Sequence, residues 1–149
     1  MQLTRAADYA VRVMIHLFGQ PPHTRASRAE LAEAAECPEQ FLSKVLQSLT
    51  RAGLVASHRG NTGGFELPVS RQEVTLLEVV EAIEGPVCLN LCLTADDDCI
   101  RQGWCPAHPV WADAQRAMLE ILRAATIREL AQRAVVPPHP KGKGTGSHP

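Results

Sequence analysis

Aromatic side chains are scarce in this sequence. Phe, Trp and Tyr make up 4% of the 149 residues, while Ala, Leu and Val carry most of the 45% apolar fraction. Strands favour aromatic and β-branched residues and helices favour Ala and Leu, so the shortage points away from a β-sandwich. Long hydrophobic runs are also missing. No apolar stretch approaches the ~20 residues that span a bilayer, which predicts no membrane partner. The opening Met1-Gln2-Leu3-Thr4-Arg5 lacks the charged-then-apolar pattern of a secretion signal, so the expected location is the cytoplasm. Nucleotide-binding Gly-rich motifs are absent as well. That argues against a redox enzyme or electron-transfer component, and the sequence predicts no enzymatic activity and no small-molecule substrate.

Charge is not in overall excess, at −1, but it is unevenly placed. Residues 1–71 carry a net +2, residues 72–136 a net −5, and the last thirteen a net +2. The N-terminal half is therefore the half suited to approach a polyanion.

What is present is cysteine. Three of the five fall in one short loop with a histidine: Cys92, Cys99, Cys105 and His108. In a reducing compartment, clustered cysteines bind metal or sense redox state more often than they form structural disulfides. An odd count leaves one unpaired in any all-disulfide scheme. Thiolates and imidazoles suit iron–sulfur clusters and zinc. Cys37 reads as a small buried apolar residue, and Cys88 as lying outside the ligand set. The acidic run Asp96-Asp97-Asp98 reads as solvated charge.

Periodicity and cap residues predict mainly helices. A first helix fits 4–18, with Thr4 as cap. A second fits 27–35, capped by Ser27 with Glu30 in the capping-box position. A third fits 38–52, with Pro38 as its first residue and Gly53 closing it. Residues 54–57 and 65–67 flank the turn Arg59-Gly60-Asn61-Thr62-Gly63-Gly64 and read as a β-hairpin. Further helices fit 75–83 (capped by Thr75), 109–125 and 126–134 (with Thr126 as cap), and the Pro/Gly-rich tail 135–149 reads as disordered.

Two short helices, a tight turn and a hairpin form the order of a winged helix-turn-helix. On the third helix Leu42, Val45, Leu46 and Leu49 share an apolar face. Gln40, Ser43, Lys44, Gln47 and Arg51 share the opposite face, and these residue types bond base edges and phosphates. Arg28 on the second helix, and His58 and Arg59 on the hairpin, extend this candidate DNA-binding set.

Four segments in order then resemble one family. They are Leu3-Thr4-Arg5-Ala6-Ala7-Asp8-Tyr9-Ala10-Val11-Arg12; Leu49 to Val55 followed by Arg59 to Phe65; Thr75 to Gly85; and the three-cysteine loop. Together they resemble the IscR/NsrR-type winged-helix regulators over residues 1–134. The resemblance implies a mainly α fold with a small β-hairpin wing. Residues 1–72 would form the DNA-binding region, and 73–134 the cluster loop and dimerisation helices. It implies a homodimer on palindromic promoter DNA, paired largely through the long helix after the loop. It implies an iron–sulfur cluster held by Cys92, Cys99 and Cys105, sensing cluster status, nitric oxide or redox stress. The fourth ligand has two candidates. His108, three residues after Cys105, resembles the IscR-like [2Fe–2S] pattern. Asp8 matches the position from which an NsrR-like partner ligates [4Fe–4S]. Closure within one protomer favours His108 and [2Fe–2S]. A structural zinc or a thiol-only redox switch is the alternative.

Overall fold

In the computed structural model, which describes residues 2–94 and 99–134, the chain builds outward from one central helix, α1 (Arg5–Gly19). Thr4 starts it, its Oγ1 accepting the Ala7 N–H. Ala7, Ala10, Val13, Met14, Leu17 and Phe18 are buried along its length, because α1 is packed on several sides by α2 (Arg28–Ala35), α3 (Glu39–Arg51), α4 (Leu76–Glu84) and α6 (Ile127–Arg133).

Local chemistry sets the helix ends. Ser27 caps α2 by accepting the Glu30 N–H, but the Glu30 carboxylate turns to His16 Nε2 at 3.1 Å instead of completing a capping box. The complete box is at α4, where Thr75 and Glu78 exchange bonds. Pro38 sits just before α3 as its cap rather than as its first helical residue. At the other end Gly53 takes φ +71, its N–H donating to Thr50 O and the Leu54 N–H to Leu49 O. That is a Schellman ending, and it buries Leu54 over the last turn.

The hairpin pairs later than the residue pattern predicts. Leu54 and Val55 belong to the core, and antiparallel pairing begins at Ala56. Strands β1 (Ala56–His58) and β2 (Gly64–Glu66) align Ala56 with Glu66 and His58 with Gly64. Ala26, just before α2, adds a bridge to Phe65, with N–H···O distances of 2.9 and 2.8 Å. The wing is thus fastened to the helix-turn-helix.

The core does not stop at residue 72. Val74, Val79 and Ile127 pack in the same cluster as α1 and α3. Leu76 N–H to Ala125 O and Ile127 N–H to Val74 O stitch the starts of α4 and α6 together. The long helix α5 (His108–Ala124) behaves differently. It touches α4 through Met118, Leu119 and Leu122 but buries no residue of its own. Val110 and Ile121 are 63% and 70% exposed. Among the described residues no helix is long and apolar enough to cross a membrane. The Asp96–Asp98 run and the tail from 135 lie outside the described residues.

Candidate functional site

On the helix-turn-helix, the two faces of α3 separate as the periodicity predicts. Leu42, Val45, Leu46 and Leu49 are buried. Gln40, Lys44, Gln47 and Arg51 are exposed, and Ser43 is half-buried. Arg28, Ser43, Gln47 and Arg51 line one open groove with Thr50, Ser57 and Phe65, so the second helix, the third helix and the wing share a single surface. Arg28 is held there by Ser43 Oγ at 3.1 Å and Glu39 Oε1 at 3.4 Å. Gln40 and Lys44 lie on α3 outside that groove's lining, and Arg59 is exposed at the approach to the wing tip.

His58 is placed differently. Its Nε2 is buried 2.6 Å from Glu66 Oε1 across the hairpin, without the geometry of a hydrogen bond. It therefore faces its own wing. Arg25 is a residue that the sequence reading missed. It donates to Thr62 O at 2.8 Å and lies 3.7 Å from Glu66 Oε2, bracing the wing tip from outside the hairpin. No local pattern marks it, because its partners lie about forty residues away.

The second constellation is the cysteine loop. Cys92 is in a 3₁₀ turn, Leu91–Leu93, capped by the Asn90 side chain. Cys99 and Cys105 lie on successive turns in which the Gln102 N–H donates to Cys99 O and the Cys105 N–H to Arg101 O. His108 begins α5 and is tied back by its N–H to Cys105 O at 3.2 Å. These turns bring Cys92, Cys99, Cys105 and His108 to one cavity of about 300 Å³, whose wall also includes Arg101, Gln102 and Trp111. Arg101, between Cys99 and Cys105, adds a cation to that wall, with its guanidinium 5.6 Å from the centre of the Trp104 ring. No disulfide joins any of the five cysteines.

The donor set fits an iron–sulfur cluster. It is soft sulfur with one imidazole, and His108 Nδ1 is buried with no hydrogen-bond partner, which leaves a nitrogen to be satisfied. Among the described residues no group of three or more Cys, His, Asp or Glu is arranged to hold a metal ion.

The remaining candidates lie apart. Asp8 does not line this cavity; it sits in the first turn of α1, 2.7 Å from Arg12 at i,i+4. Cys88 is half-buried, with its Sγ 3.9 Å from Leu93 O, and is also outside the cavity lining. Cys37 is buried in the helix-turn-helix turn, and burial pushes its thiol pKa up.

Comparison with known proteins adds four findings. The profile of a family described as "Rrf2: Iron-dependent Transcriptional regulator" matches residues 3–133. The protein aau3 of Rhizobium meliloti (strain 1021) is 37% identical over 134 residues, covering 89% of this chain and 86% of its own length. The HTH-type transcriptional regulator NsrR of Shouchella clausii (strain KSM-K16) is 30% identical over 131 residues, with coverages of 87% and 88%. In the fold itself, CymR, the global cysteine regulator of B. subtilis, superposes with a TM-score of 0.70 at 23% identity, over 91% of this chain and 99% of CymR.

Proposed function

The chain belongs to the Rrf2 family of transcriptional regulators, and on that premise we propose that it binds palindromic promoter DNA as a homodimer under the control of an iron–sulfur cluster. Its relatives are transcription regulators, not enzymes. The observation that carries the cluster is the meeting of Cys92, Cys99, Cys105 and His108 at one cavity. The three thiolates would hold the cluster in each protomer, with His108 as the favoured fourth ligand and Asp8 of the partner subunit as the other candidate. When bound, the cluster supplies an iron centre that iron supply, nitric oxide or oxidants alter. The protein's own part is mechanical. Held together with His108, the three cysteines would fasten the segment between α4 and α5 to the first turn of α5. That helix leans on Leu77, Val80 and Val87, next to α4 and the shared core. Two recognition helices must stand about one duplex turn apart, ~34 Å, so a small tilt of α5 changes how well both fit.

The spectrum of anaerobically purified protein tests this. Broad bands between ~300 and ~450 nm are expected. A colourless protein carrying zinc would favour the structural-metal alternative, and a metal-free one a thiol switch.

The dimer reading rests on α5. Val110, Ala114, Ala117 and Ile121 recur at i, i+4, i+7 and i+11, and all are exposed. An apolar helical stripe of this kind is covered in a stable assembly. Ile121→Asp is expected to convert the dimer to a monomer in sedimentation velocity; an unshifted dimer would move the interface elsewhere.

The DNA face is tested by substitution. Arg59→Ala and Lys44→Ala are expected to weaken operator binding and to lower the slope of log K against log salt by about one each, because each removes a phosphate contact. Gln47→Ala is expected to relax sequence preference, with a loss of ~1–3 kcal/mol from a base-edge pair. Gel shifts with all three unchanged would place DNA on another surface.

A further inference from the structure

Arg12 stands on the exposed side of α1, and its guanidinium reaches three neighbours. Nη2 lies 2.7 Å from Asp8 Oδ2, one turn back. Nη1 donates to Ala35 O at 3.1 Å and lies 3.7 Å from Glu36 Oε2. The group also sits 5.9 Å from the centre of the Tyr9 ring, and Tyr9 meets Phe41 edge-on at 5.7 Å. Two side chains of α1 therefore grip the end of α2 and the first turn of α3, the two arms of the helix-turn-helix.

The bond to Ala35 O has a physical reason. Helix α2 ends because Glu36 turns left-handed, at φ +52, a conformation that a residue with a Cβ adopts at a cost. The last carbonyls of a helix have no partner within it. Here the Glu36 N–H goes to Ala32 O and Glu33 O, and the Cys37 N–H also goes to Ala32 O. Arg12 supplies Ala35 O with a charged donor from another helix. It does not line the groove shared by α3 and the wing.

We propose that Arg12 is a positioning residue for DNA recognition: steadied by Asp8, it holds the Ala35–Glu36 turn and so sets the pitch of α3 against α1. This rests on the reading that α3 faces DNA. It also gives Asp8 a role within its own protomer, whether or not its carboxylate serves the partner's cluster.

The test uses the full chain and a duplex selected from a random library by the unaltered protein. Binding is measured by gel shift across a range of salt, with helix content checked by circular dichroism. Arg12→Gln is expected to bind about tenfold more weakly, the loss of a charge-assisted bond, with an unchanged salt slope because no phosphate contact is lost. Asp8→Asn should weaken binding less, and the double variant should be no weaker than Arg12→Gln alone. A salt slope lowered by about one would show Arg12 on a phosphate and overturn the proposal. Unchanged affinity would also overturn it. Should Arg12→Gln fail to fold, Arg12→Lys keeps a charged donor without the two-pronged geometry, and affinity equal to the unaltered protein's would again refute the proposal. If Arg59→Ala and Lys44→Ala weaken binding while Arg12→Gln does not, only this inference fails. If none of the three does, the DNA face itself is misplaced.

Discussion

Cys92→Ala, Cys99→Ala and Cys105→Ala are each expected to abolish stable cluster binding, seen as loss of visible absorbance and of iron after anaerobic reconstitution. The reason is ligand number. Three protein thiols and one further donor leave no spare, and a missing thiolate opens an iron to solvent and exchange. The neighbouring cysteines serve as internal controls. Cys88 lies outside the cavity lining and Cys37 is buried in the helix-turn-helix, so Cys88→Ala and Cys37→Ala should keep the bands. Retention by Cys92→Ala with loss by Cys88→Ala would shift the ligand set by one cysteine. The same preparations decide the fourth donor. His108 lines the cavity with a buried, unpartnered Nδ1, whereas Asp8 is engaged by Arg12. We therefore expect His108→Ala to change the Mössbauer spectrum and Asp8→Ala to leave it intact. The reverse result would assign the fourth position to Asp8 of the partner subunit and favour [4Fe–4S].

Gly64→Ala should distort the wing where it meets the helix-turn-helix. Gly64 has φ +137, a conformation that side-chain-bearing residues rarely adopt. A Cβ would also stand 2.8 Å from Ala26 O, a backbone atom that is itself bonded to the Phe65 N–H at 2.8 Å. The clash cannot be relieved by a rotamer change. It must break the Ala26–Phe65 bridge that fastens the wing to the start of α2. Strain of about 1–3 kcal/mol is the expected scale, lowering the melting temperature by several degrees. Faster hydrogen exchange at the Ala26 and Phe65 amides and weakened operator binding should accompany it. Gly60→Ala, also at positive φ but in open space, provides the comparison. If Gly64→Ala binds DNA and melts like the unaltered protein, the bridge does not hold the wing.

Much of this architecture was legible before any coordinates. Thr4, Ser27, Thr75 and Thr126 each accept a backbone N–H three residues on. Such bonds are local and depend on few atoms, so residue identity suffices to find them. The buried face of α3 was equally readable, because helical periodicity places Leu42, Val45, Leu46 and Leu49 on one side. The hairpin was readable in kind but not in register. Leu54 and Val55 have strand-like character, yet the Schellman ending after Gly53 draws them into the core, and pairing waits until Ala56. His58, polar and close to the wing tip, suits DNA by type; its contact with Glu66 depends on a cross-strand geometry that no spacing rule supplies.

The sequence by itself determined the kinds of element, their order, their caps and the donor chemistry of the cysteine loop, all of which depend on neighbours within a few residues. Tertiary structure alone decided that the core runs past residue 72 through Val74, Val79 and Ile127, and that α5 stands with one face unburied. It alone decided that Arg25 braces the wing and that Arg12 closes the turn before α3. Those contacts join residues tens of positions apart. Their partners are chosen by where helices cross and carbonyls are left over, and many residues could have filled each role equally well by type.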